Sequence, residues 1–375
     1  MSDSQFTTHK LLYNEAINLL KQLIATPSFS KEEDGTAIII RQFFTDKNIP
    51  SQRFLNNIWA INKYFDSLKP TLLLNSHHDT VKPNAKYTKN PFEPIEENGK
   101  LYGLGSNDAG GCLVSLIAVF VHFYDKENLP FNIVLAATAE EEITGKNGIE
   151  ALLVNDVFLK SLHNPDFKNE QDKWFAIVGE PTQMELAIAE KGLMVIDATA
   201  QGIAGHAARN EGENALYKAI RDIQWFETFK YPKSSEWLGE VKQTVTVIET
   251  ENKAHNVVPA TCNFVVDIRI PDCYTHEEII EIIKQNIQSD FKERSIRLRS
   301  TRIEVNHPLV QSGVTLGKKP YGSPTCSDKA LIPFPAMKCG PGFSGRSHTA
   351  DEFIFLDEIK DGIDTYIKMI EGISL

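Results

Sequence analysis

The chain carries no CxxC pair, no tract of basic residues interleaved with aromatics, and no apolar run of transmembrane length. Its five cysteines, Cys112, Cys262, Cys273, Cys326 and Cys339, are odd in number and scattered, so they read as reduced thiols rather than a disulfide framework. Basic residues are the scarcer charge: 39 lysines and arginines stand against 50 aspartates and glutamates, a net charge of −11. Nucleic acid and anionic membranes are therefore not expected partners. The opening MSDSQFTTHKLLYNEAINLLKQLIA lacks the basic head and unbroken apolar core of a signal peptide. It reads as an amphipathic helix, which makes the cytosol the expected, cytoplasmic location. What remains is a globular composition of 375 residues, 42% hydrophobic and 24% charged, long enough for two domains.

Against that background, five segments collect histidine and acid at the ends of apolar runs. They are LLLNSHHD (72–79), GLGSNDAGG (103–111), VLAATAEEE (134–142), AIVGEPT (176–182) and SGRSHTADE (344–352). The runs 71–76, 132–139 and 174–179 are short, β-rich and nearly uncharged, as strands buried on both faces of a parallel sheet are. The charged residues then sit at strand C-terminal ends, the rim where open α/β sheets bind ligands. Histidine, aspartate and glutamate gathered there form a donor set for zinc or a similar divalent metal. Each segment also has a plainer reading. HHD fits a turn with a capping aspartate and a structural His78, Glu140-Glu141-Glu142 fits a solvated acidic cluster, and GEPT fits a strand followed by a proline turn. His9, His122, His163, His276 and His307 have no motif around them and read as structural or surface residues.

The first ~180 residues alternate strand-like and helix-like stretches, the mark of a βα-layered domain. From Asp108 the sequence reads as a helix that starts at the site and runs back along the sheet. Beyond Pro181 the order changes to strand 192–201, helix 214–229, strand 241–250, strand 261–270, helix 275–288 and a last strand near 296–305, a small α+β sandwich. The tail, 304–375, carries the fifth segment and a terminal helix, 356–373. Because that segment must meet the first four, the small domain is an insertion: residues 1–184 and 304–375 form one domain and 185–303 the other.

In this order and at these intervals the segments, with GHAAR (205–209), resemble the family of co-catalytic zinc amidohydrolases that includes acetylornithine deacetylase, succinyl-diaminopimelate desuccinylase, aminoacylase and carboxypeptidase G. The resemblance covers nearly the whole chain. It implies a zinc-exopeptidase-like α/β catalytic domain, with a mixed, mostly parallel sheet between helices, and an inserted α+β, ferredoxin-like dimerisation and lid domain. It also implies two divalent ions, zinc or in its place cobalt or manganese: His77 and Glu180 would bind one, Glu142 and His348 the other, and Asp108 would bridge them. Two such ions sit roughly 3.5–4 Å apart. Asp79 would orient the ring of His77, Glu141 would be the general base, and a cis peptide would follow Asp108. The family more often has Asp-Glu-Glu where this chain has Glu140-Glu141-Glu142, so a slip by one residue would exchange base and ligand.

By the same resemblance His206 donates to the oxyanion of the tetrahedral intermediate from across a dimer interface, making the protein a homodimer. Asn256 resembles the position that holds the oxyanion region, and Arg269 the one that holds the substrate's α-carboxylate, with Arg346 standing two residues from a metal ligand. For His206 a small-residue turn, and for Arg269 an ordinary exposed strand position, are the plainer readings. Phe343 stands where many relatives carry a polar residue. The expected substrate is a small N-acyl amino acid, and the motif wording points first to acetylornithine, acetylcitrulline or succinylornithine in arginine biosynthesis. Succinyl-diaminopimelate or a small peptide is the alternative, and a scaffold that has lost catalysis and serves as a binding module is the alternative of another class.

Overall fold

The computed structural model describes residues 3–162, 171–209 and 211–375, which form two compact units. Residues 1–188, 303–321 and 327–375 make the large unit; 189–302 and 322–326 make the small one. The sequence places the divisions after 184 and 303 and has no counterpart for the short return at 322–326.

The large unit is organised by three strands, Thr71–His77, Asn132–Thr138 and Trp174–Val178, every residue of which is buried. Runs so apolar satisfy their backbone only within a sheet covered on both faces. They pair in parallel with Thr71–His77 in the middle. Ala336–Lys338 adds a further parallel strand beside Trp174–Val178, while Asn57–Ile61, Ser51–Phe54 and Leu186–Glu190 continue the sheet antiparallel. The mixed, mostly parallel core of the sheet is the expected class. Helix Gly111–Phe123, apolar nearly all round, fills the layer between the sheet and the helices Asp3–Ile24 and Leu356–Glu371. With the turn before it, this helix forms an 18-residue stretch, Ser106–Phe123, with the length and hydropathy of a membrane span, and it is 83% buried. That amends the expectation that no run reaches such length: the stretch is a core helix whose apolar surface is used inside the unit.

The small unit is a four-stranded antiparallel sheet in the order Lys242–Thr250, Thr261–Ile270, Gly192–Gln201, Asp290–Ser295. Helices Ala215–Thr228 and His276–Asn286 are packed on it, giving the ferredoxin-like βαββαβ order. Alternation sets the buried face: Cys262, Phe264, Val266, Ile268 and Ile270 point to one side and meet Met194, Ile196, Phe226, Ile279 and Ile283. The last strand is not at 296–305. It is Asp290–Ser295, and within the expected stretch Thr301–Arg302 forms a short strand that pairs with Glu190 and Ala189. The segment DFKERS hides from a search for apolar alternation because an edge strand tolerates charge. Arg294 forks onto Asp197 of the neighbouring strand at 2.7 and 2.9 Å, a contact that periodicity cannot register.

Candidate metal centre

Three strand ends deliver the first donors. His77 is the last residue of its strand, Glu180 follows Val178 by two, and Glu141 and Glu142 follow Thr138. Glu140 takes a left-handed conformation with φ +58° and turns its carboxylate away, to Asn147 Nδ2 at 2.7 Å. Its two neighbours are thereby free to face the sheet edge. Asp79 fastens them there, its Oδ1 accepting the Glu141 N–H and its Oδ2 the Glu142 N–H, both at 3.1 Å, with Ser30 Oγ donating to Oδ2 at 2.7 Å. His77 Nδ1 lies 3.0 Å from the carbonyl oxygen of Asp79 and 3.4 Å from its carboxylate, so Nε2 points outward. Asp108 comes from the turn before helix Gly111–Phe123. That turn requires Gly105 at φ +73°, where a Cβ would also stand 2.6 Å from the Thr80 methyl. The bond Asp108–Ala109 is cis.

The side chains converge in pairs. His77 Nε2 is 3.7 Å from Glu180 Oε1 and 3.5 Å from Asp108 Oδ1, while His348 Nε2 is 3.0 Å from Glu142 Oε2 and 3.6 Å from Asp108 Oδ2. The two oxygens of one aspartate thus face two different histidines. Glu141 Oε2 is 4.0 Å from His77 Nε2. Donor atoms of His77, Glu141 and Glu180, and of His77, Asp108 and Glu142, lie within 4.8 Å of one another, geometry that suits a metal ion. Glu141 and Glu142 expose 14% and 7% of their side chains, so they are not a solvated charge run.

Electrostatics explains what the cluster needs. Burial and the neighbouring Glu180, Asp328 and Glu142 push Glu141 well above the usual carboxylate range, and burial with Asp108 pushes Glu180 up to about 8. Glu142, which accepts from His348, lifts that ring to about 9. Burial would lower His77, but Asp108 and Asp79 raise it well above the ordinary histidine value. Yet His77 Nε2 and Glu180 Oε1, both buried, have no hydrogen-bond partner among the described residues. Crowded carboxylates and an orphaned imidazole nitrogen fit a bound divalent cation, which would serve all of them at once. Nitrogen and carboxylate donors without thiolate accommodate zinc, cobalt or manganese.

Other expected residues have partners of their own. Arg346 is forked onto Glu358 at 2.7 and 2.9 Å and stacked over the rings of Phe353 and Phe355. Arg269 is forked onto Asp267 at 2.8 and 3.0 Å. In both, the fork that would take a substrate carboxylate holds an acid of this chain. Arg269, His206 and Asn256 belong to the small unit, where Gly205–His206 pairs with Val257–Val258 and Asn256 O accepts the Ala207 N–H at 2.9 Å. His206 is exposed, and its Nδ1 accepts the Ala208 N–H at 3.1 Å. His78 is structural: it bonds Thr36 Oγ1 and Asn56 O at 2.8 and 2.9 Å, and burial pushes it down to about 4. His276 is buried, His307 caps helix Pro308–Thr315, and His9 meets Asp364; His163 lies outside the described residues.

Sequence reasoning missed several residues around the site. Asp328, pushed up to about 6 by burial, accepts Thr138 Oγ1 at 2.8 Å, and its loop SPTCSDKA offers no signal beyond a polar turn. Lys338 is buried on its strand, where its charge acts on Glu180. Asn107 and Glu352 stand inside two of the motifs, adjacent to or near ligands, and were visible without a role.

The profile of the peptidase family M20/M25/M40 matches residues 73–372. Among curated proteins, the chain is similar to the succinyl-diaminopimelate desuccinylase of Rickettsia bellii (strain RML369-C), 24% identical, with 94% of this chain and 95% of that one covered. Two solved structures share the fold. One is a tripeptidase from Staphylococcus aureus subsp. aureus mu50, at TM-score 0.73 and 18% identity over 96% of this chain and 98% of that one. The other is the YXEP protein of Bacillus subtilis, described as a dinuclear metal-binding peptidase, at TM-score 0.64 and 12% identity over 96% and 98%. With the family profile spanning most of its length and both histidines facing carboxylates at the sheet rim, the chain belongs to peptidase family M20/M25/M40 and is a metal-dependent amidohydrolase.

Proposed function

We propose that the protein is a dinuclear deacylase that hydrolyses the linear amide of a small N-acyl amino acid to a carboxylate and a free amine. The observation that carries this reading is the pair of Asp108 oxygens, each facing one histidine, with Glu180 beside His77 and Glu142 beside His348. His77 and Glu180 would hold one ion, His348 and Glu142 the other, and Asp108 both. When bound, such ions polarise the amide carbonyl and make the attacking water more acidic. Glu141 takes the water's proton and returns it to the departing amine. Asp79 keeps Glu141 and His77 in register by holding the N–H of the one and the ring of the other. His206 supplies a donor to the oxyanion: a neutral ring whose Nδ1 accepts carries its proton on Nε2. Arg269 and Arg346 serve the substrate carboxylate only if their acids release them.

We take the working state to be a homodimer that uses His206 in trans. The small unit supports this with an outer strand, Lys242–Thr250, exposing Val247 and Ile248, and a helix exposing Tyr217 and Ile220. Mixing inactive His206→Ala and Glu141→Gln proteins restores activity in the heterodimer if the arrangement is right, and does not if His206 acts within its own chain.

Acetylornithine, acetylcitrulline and succinylornithine are the first substrates, on the motif wording. Succinyl-diaminopimelate is the second reading, favoured by the name of the curated relative. Amine release by zinc- or cobalt-loaded protein across these compounds and several dipeptides tests both. A preference of roughly a hundredfold, about 2.7 kcal/mol in the transition state, for either group assigns the branch. No turnover with two ions bound moves the search to other acyl groups or to the binding-module alternative.

A further inference from the structure

Glu352 ends the segment that carries His348 and is 2% exposed. Its carboxylate accepts three backbone N–H groups of one turn: Gly105 at 3.1 Å on Oε2, and Asn107 and Asp108 at 2.8 and 2.9 Å on Oε1. Its own carbonyl accepts the Gly103 N–H at 3.0 Å. The turn answers through Asn107, whose Nδ2 donates to Phe343 O at 3.1 Å while its Oδ1 accepts the Phe343 N–H at 3.0 Å. Two stretches more than 200 residues apart in sequence, one bearing Asp108 and the other His348, therefore grip each other from both ends.

The turn needs such a partner. Asp108 at φ −118°, ψ 96° and Ala109 at φ −118°, ψ 30° are not helical, and donors in a buried, irregular turn must be satisfied from outside it. A carboxylate with two oxygens can take three donors; an amide cannot, because its NH2 would confront one of them. One of those donors is the N–H of Asp108 itself, so the carboxylate sits a single hydrogen bond from the backbone of the residue whose oxygens face both histidines.

We propose that Glu352 is a positioning residue for the metal centre: by gathering the N–H groups of Gly105, Asn107 and Asp108, it aims the Asp108 carboxylate at both histidines before any ion binds. This rests on the reading of Asp108 as the shared ligand. The test is calorimetric titration of metal-free, full-length protein with Zn2+ and with Co2+ at 20 °C, comparing wild type with Glu352→Gln, together with the visible spectrum of the cobalt forms and thermal melts of the metal-free proteins. Partners of this kind tune metal affinity by roughly 10–100-fold. The expected result is a loss of that size in Glu352→Gln with an altered cobalt spectrum, in protein that is still folded at 20 °C. Affinity within about twofold of wild type and an unchanged spectrum, whatever the melting temperature does, would mean a merely structural glutamate and overturn the proposal. Should Glu352→Gln fail to fold, Asn107→Ala cuts the reciprocal arm: weaker binding supports the clamp and wild-type binding overturns it. A wild type that takes up no metal would instead sink the reading of the metal centre, a distinguishable failure.

Discussion

The two units hold their functional candidates in opposite ways. In the large unit, His77, Asp108, Glu141, Glu142 and Glu180 are nearly enclosed, and each is fixed by the end of a buried strand or by backbone bonds to Asp79 and Glu352. In the small unit, His206 stands exposed on a two-residue ribbon, and Arg269 is taken up by its neighbour Asp267. Charged donors close together repel and are costly to bury, so they persist only where the fold over-determines them and a cation completes them. An exposed imidazole such as His206 carries no such cost; His348 of the large unit is exposed as well, and there Glu142 holds it at 3.0 Å. The difference separates residues that must be built from residues that have only to be brought near.

Breaking the built region should cost most. Glu141→Gln keeps the shape of the side chain and removes the base; kcat is expected to fall by roughly 10²–10⁴-fold with both ions retained, checked by steady-state kinetics alongside metal analysis. Turnover near wild type would remove Glu141 from its role. His206→Ala is expected to lower kcat by about 10²–10³-fold while metal affinity and the melting temperature stay put, because this residue is exposed. If instead metal is released, the two regions are not independent.

Metal removal sharpens the contrast through stability. An ion present at a thousand times its Kd stabilises the fold that binds it by about 4 kcal/mol. Hydrogen exchange should therefore slow in the strands Thr71–His77 and Trp174–Val178 on zinc addition and stay constant in Gly192–Gln201 and Thr261–Ile270. Equal protection in both units would refute a site confined to the large one.

The smallest effect concerns pH. His122, at the end of helix Gly111–Phe123, has a buried Nε2 without a hydrogen-bond partner among the described residues, and burial pushes the ring down to about 4. The unfolded chain takes up that proton near pH 6.5, before the folded one does. The contribution is thus intact above pH 6.5 and is lost progressively as the pH falls toward 4. His122→Leu should flatten the decline of the melting temperature over that window, measured by scanning fluorimetry; an unchanged slope would mean the ring is already solvated. In the small unit burial lowers His276 in the same direction, so the corresponding substitution there should flatten the decline as well.

Much of this was legible beforehand, and for one reason: buried strands announce themselves. The runs that end at His77, Thr138 and Val178 are apolar on both faces, so the residues after them must lie at a common sheet edge. Strand-like composition likewise located Gly192–Gln201 and Thr261–Ile270 to the residue. It failed at Asp290–Ser295, where charge sits on an edge strand and its partner Asp197 is 97 residues from Arg294. It was equally blind to Arg346, whose acid, Glu358, lies on the next helix and leaves no local trace.

By itself the sequence determined the family, the mixed sheet with its inserted ferredoxin-like unit, and the residue types available for catalysis, because periodicity and motif order are properties of neighbours along a chain. Only the tertiary structure decided which oxygen faces which histidine, that Asp79 holds the two glutamates by their backbone, and that Glu352 holds the turn of Asp108. Those are hydrogen bonds and ångström-scale distances between segments tens to hundreds of residues apart, and no local pattern encodes a distance that folding alone creates.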